Sequence, residues 1–127
     1  MPMQTTLLTA GLLGLIFLAL SVRVVSVRGS TKVMLGDGGD QTLLSRIRSH
    51  ANFAEYAPLL LILLALVEYI NGTNMLVQAA GGTIVVARLF HAIGMARPAP
   101  NLFRLLGMVG TFVPLLALSV WTVWLAV

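Results

Sequence analysis

Four long apolar stretches, at about residues 5–25, 42–70, 75–95 and 102–126, set the terms on which this chain folds. A hydrocarbon core about 30 Å thick is crossed by around 20 largely apolar residues in a helix, so each stretch is long enough to span it. Inside lipid the backbone must satisfy its own polar groups, which leaves helices or closed barrels, and runs of this length read as helices. Charged residues make up 9% of the 127, against roughly 25% in soluble domains. The expected fold is therefore an all-α integral membrane protein, a four-transmembrane-helix bundle, with no room for a second, soluble domain. The chain contains no cysteine, which excludes disulfides, thiolate metal sites and a cysteine nucleophile.

The charges report topology. The first apolar run, Leu7 to Leu20, has no Lys or Arg before it, and its basic residues follow it. That order predicts a retained first helix with its N-terminus outside, in place of a cleaved signal peptide. All eight basic residues, at 23, 28, 32, 46, 48, 88, 97 and 104, fall around the first and third connections. The positive-inside rule then puts both of those connections in the cytoplasm and both termini outside. The net charge of +4 reads as topology and one anion-attracting face, with no call for nucleic acid as a partner.

The longest connection is expected from about residue 27 to 42, with Thr42 as the N-cap of the second helix. Its Gly36-Asp37-Gly38-Gly39-Asp40 run lacks the alternating ligands and distal Glu of a calcium loop and reads as a glycine-driven turn. No metal site is expected, since His50 and His91 have no carboxylate or thiolate spacing to join them. Asn71-Gly72-Thr73-Asn74 reads as a tight turn, and Glu68, near the outer end of its helix, as solvated at the interface.

Polar chemistry concentrates in Arg46–Pro58, at the mouth of the run Leu59–Leu64. On a helix Arg48, Asn52 and Glu55 stand at i, i+4 and i+7, so a cation, an amide and a carboxylate share one face. A carboxylate within the hydrocarbon costs roughly 2.5–3.5 kcal/mol on insertion scales unless something receives it. On the third helix Arg88, His91 and Met95 also share a face, and Arg104 opens the fourth. Three helices thus bring cations to one depth, a setting for an anionic ligand with carboxylates for the guanidinium forks and an ammonium for Glu55. Each group also has a plainer reading: Arg48 pairing with Glu55 or reaching headgroups, and His91 packing as a hydrogen-bonded core residue.

The pattern Arg48-x-His50-x-Asn52-x-x-Glu55-Tyr56-x-Pro58, followed by Ala87-Arg88-Leu89 and Arg104, resembles the MAPEG family, membrane-associated proteins in eicosanoid and glutathione metabolism, and its small bacterial members in particular. The resemblance covers about residues 25 to 105. It implies a single domain over 1–127, a homotrimer of four-helix subunits in the bacterial inner membrane, and glutathione as cosubstrate bound between subunits near the cytoplasmic face. Arg48, Asn52, Glu55 and Tyr56 match the family's glutathione-binding motif, Arg88 matches a basic position on the third helix, and His91 lines the same face. Arg104 looks like the arginine that stabilises the thiolate, the catalytic role. Where leukotriene-forming members carry tyrosines on the third helix, this chain has His91 and Met95, which removes phenol contacts to the ligand.

The function implied is that of a glutathione S-transferase or peroxidase acting on lipophilic electrophiles from the bilayer. Two other classes fit four apolar helices with a carboxylate at membrane depth. A proton-coupled multidrug transporter needs an acid on its first helix, where this chain has none. A membrane module that binds its ligand without turnover needs only the site.

Overall fold

The structure, a computed structural model, describes residues 2–127. Four α-helices follow one another, α1 Gln4–Thr31, α2 Gln41–Asn71, α3 Met75–Met95 and α4 Leu102–Ala126. All four are long and apolar enough to cross a membrane. The bundle is held by apolar side chains from every helix, among them Leu13, Phe53, Leu60, Leu64, Ile84 and Leu118. Other large apolar residues, such as Leu15, Ile62, Leu116 and Val123, stand exposed on the outside. That inversion of the soluble pattern suits a lipid solvent.

Helices α2 and α3 each touch all three other helices, whereas α1 and α4 do not meet. The α2–α3 pair therefore forms the inner diagonal, and polar residues on it can be shielded from both sides. The α3–α4 hairpin is the closest pairing. A Cβ at Gly107 would run into the backbone and Cβ of His91, and one at Gly94 into the backbone of Arg104. Small residues at these positions let the two backbones approach, the usual basis of helix association in lipid.

Short polar residues start three of the helices by answering free N–H groups of the first turn. Asp40 accepts from Leu43 N–H at 2.7 Å, Asn74 from Leu76 and Val77, and Asn101 from Arg104 at 2.9 Å. The cap of α2 is thus Asp40, and the expected Thr42 lies one residue inside the helix. α1 likewise runs past the expected Val25 to Thr31. Arg28 Nη1 donates to the carbonyls of Val33 and Gly36, so the basic end of the helix is tied to the loop and extra turns persist. Asp37 accepts from Gly39 N–H at 2.9 Å, so both loop carboxylates serve the turn. Both α2 and α4 continue through a proline, Pro58 and Pro114.

Glu68 departs from its sequence reading. It is not solvated at the interface but 1% exposed. Its carboxylate accepts from Thr5 N–H (2.9 Å), Thr6 N–H (2.7 Å), Thr6 Oγ1 (2.6 Å) and Thr73 Oγ1 (2.6 Å). A helix N-terminus presents free N–H groups and a partial positive charge, so a carboxylate from α2 caps α1 from across the bundle.

Candidate functional site

The site is built on the inner diagonal. Arg88, on α3, is 2% exposed. Its Nη2 donates to Asn52 Oδ1 of α2 at 2.7 Å and its Nη1 to Thr111 Oγ1 of α4 at 3.3 Å. Thr111 in turn donates to the carbonyl of Gly107 at 2.7 Å, leaving its oxygen free to accept. The guanidinium also lies 5.3 Å from the centre of the Phe53 ring, a cation–π contact. One side chain thus ties α2, α3 and α4 together.

What Arg88 lacks is a counter-charge. The chain has four acidic side chains. Asp37 and Asp40 shape the first loop, Glu68 caps α1, and Glu55 lies 3.8 Å from Arg48 in the single ion pair found among the described residues. Arg88 Nε and His91 Nδ1 are both buried without a hydrogen-bond partner. A buried cation held only by neutral acceptors is costly, and an arriving anion offsets that cost.

Beside the guanidinium lies a cavity of about 30 Å³ lined by Asn52, Tyr56, Arg88, His91, Met108, Thr111 and Phe112. A water needs roughly 10–15 Å³, so the space fits a carboxylate tip or two or three waters. Tyr56 packs against Phe112, with ring centres 5.8 Å apart. A tripeptide-sized ligand that reaches Arg88 would keep most of its body outside this cavity.

The structure therefore brings together Asn52, Tyr56, Arg88 and His91 of the residues singled out from sequence. Arg48 and Glu55 stand apart from the cavity, their side chains 54% and 53% exposed, and they meet each other. Arg104 is exposed on α4 and does not line the cavity. His50 belongs elsewhere, stacked on Phe17 and within 3.1 Å of Ser21 Oγ at the α1–α2 contact. Sequence reasoning missed Thr111, Phe53 and Phe112. A threonine at the depth of Arg88 in an otherwise apolar helix was the available signal for the first.

The family model of the MAPEG family matches residues 6–124. The chain is also similar to the inner membrane protein YecN of Escherichia coli K12, with 33% identity over 119 residues, covering 92% of this chain and 88% of the relative. The YecN protein of E. coli O6:H1 matches to the same extent. No solved structure matches the chain significantly.

Proposed function

This chain belongs to the MAPEG family of membrane proteins, and from that membership we propose that it binds glutathione at Arg88 and acts as a glutathione S-transferase on lipophilic electrophiles. The observation that carries the reading is the buried Arg88 guanidinium, which has no carboxylate partner among the described residues. Glutathione brings two carboxylates, one ammonium and a thiol to a protein without cysteine. One carboxylate would enter beside Asn52 and Thr111, with Arg88 donating to it and Tyr56 at the mouth.

The rest of the ligand then lies over the Arg48–Glu55 pair. An exposed pair of this kind contributes only about 0–1 kcal/mol, so a zwitterion separates it at little cost. The ammonium goes to Glu55 and the second carboxylate to Arg48. Because so little of the ligand fits inside one subunit, the site would be completed by a neighbouring copy in a homotrimer. Arg104, exposed on the outer face of α4, would reach a thiol held by that neighbour. A cation there favours the thiolate.

In the transfer step the thiol proton leaves to solvent, the thiolate sulfur bonds the electrophilic carbon, and the leaving group departs with the electron pair. With a lipid hydroperoxide two glutathione molecules would instead yield disulfide, alcohol and water. By the likeness to YecN the location would be a bacterial inner membrane, with the basic connections in the cytoplasm. The test is conjugation of a chlorinated nitroaromatic by the purified protein. The intact chain should release chloride at a glutathione-dependent rate, and Arg104→Ala should slow it by about 10²-fold, as for loss of one group that stabilises developing charge. Equal rates in the two proteins would remove Arg104 from the chemistry.

A further inference from the structure

Most charged groups in the chain are engaged. Arg28 holds the first loop, Arg48 meets Glu55, Arg88 bonds Asn52 and Thr111, and Arg97 lies 4.4 Å over the Phe103 ring. Arg23 and Arg46 differ: both are half-buried, and neither side chain has a hydrogen bond or ion pair among the described residues, Arg23 standing on α1 two turns before the helix ends. Arg46 of α2 stands near enough for the two guanidinium groups to repel each other, which concentrates positive charge at this point.

Arg23 also closes one end of a groove of about 350 Å³ between α1 and α3. The remaining walls are aliphatic, including Leu15, Ile16, Ala19, Leu89 and Ile93. A neutral hydrocarbon would cover these walls but leave the cation unanswered. A free anion would answer the cation but leave the walls bare. We propose that the groove is a binding site for an anionic phospholipid, an acyl chain lying along Leu15, Ala19 and Ile93 and the phosphate on Arg23. The planar guanidinium donates to two phosphate oxygens at once, and Arg46 adds long-range attraction from α2. The groove shares no lining residue with the Arg88 cavity, so this site stands or falls separately from the glutathione reading.

The test is lipid retention. The full chain is purified, exchanged into micelles holding equal amounts of phosphatidylglycerol and phosphatidylcholine, and the lipid that remains bound is identified by native mass spectrometry. The intact protein should retain phosphatidylglycerol selectively, and Arg23→Gln should lower that retention about tenfold, as for a lost charge-assisted fork. Arg23→Lys should retain an intermediate amount, and Lys32→Gln, in the loop, the full amount. Ala19→Phe, which fills the groove and keeps the charge, should also lose the lipid and carries the test if Arg23→Gln does not fold. Equal retention of the two lipids, or full retention by Arg23→Gln, would overturn the proposal. So would displacement by millimolar inorganic phosphate, which marks a simple anion site. Efficient disulfide formation between copies of Ala19→Cys with the lipid excluded would show that a second subunit covers the groove, and would overturn it too.

Discussion

Arg88 is the residue on which the site turns, and its worth to folding and to binding can be separated. Its two hydrogen bonds go to neutral groups, and Thr111 has a separate bond to the Gly107 carbonyl that does not involve Arg88. A methionine of similar length would fill the space without a buried charge. Replacement of buried ionic groups by apolar ones of like volume is often neutral or stabilising. Arg88→Met should therefore leave the thermal midpoint unchanged or raised, while glutathione affinity falls at least about tenfold, the scale of a lost charge-assisted hydrogen bond. A lowered midpoint with unchanged affinity would make Arg88 a structural strut. Residue type, helical spacing and family resemblance marked Asn52, Tyr56, Arg88 and His91, which line one cavity, and equally Arg48, Glu55 and Arg104, which do not, because the pattern tells which groups are polar at that depth but not which of them face inward. They were not enough for Thr111, since a threonine in a helix commonly bonds the carbonyl four residues back, and its second role needs a partner on another helix.

Among the helices, the spans were legible because long apolar runs in this composition have few other solutions. The end of α1 was not, because Ser26–Thr31 has the polarity of a loop and is kept helical by Arg28 reaching Val33 and Gly36. The role of Glu68 was hidden for a similar reason, since its α1 donors lie more than sixty residues away in sequence. That carboxylate joins α1 to α2, and its loss should be felt at the helix start. In Glu68→Gln the amide presents donors where the N–H groups need acceptors, a fault that costs about 1–3 kcal/mol. Hydrogen exchange at Thr5 and Thr6 should quicken by about tenfold or more, with the middle of α3 unchanged. Uniform acceleration through all four helices would contradict a local cap. The α3–α4 contact gives a second check. Gly107→Ala should destabilise by about 1–3 kcal/mol through overpacking. Gly82→Ala, where a Cβ meets nothing within 4 Å, should be near neutral in the same thermal or denaturant unfolding measurement.

At the scale of the whole molecule, a bundle with α2 and α3 on its inner diagonal holds, among the described residues, a buried Arg88 cation without a counter-charge and an exposed Arg48–Glu55 pair. The cavity of about 30 Å³ is too small for a whole glutathione, so binding and assembly should be linked. Cross-linking of the purified protein should end at a trimer, and glutathione should raise the trimer's thermal midpoint as any ligand of the assembled state does. Sequence pattern and family resemblance pointed to these groups but could not reveal how little room the bundle leaves beside Arg88. The most direct test of the account is calorimetric titration of the purified oligomer with glutathione, set beside Arg88→Met. Saturable binding by the intact protein, weakened at least about tenfold in the variant, is the expected result. Absence of binding by a folded, intact oligomer, or equal affinity in both proteins, would contradict it.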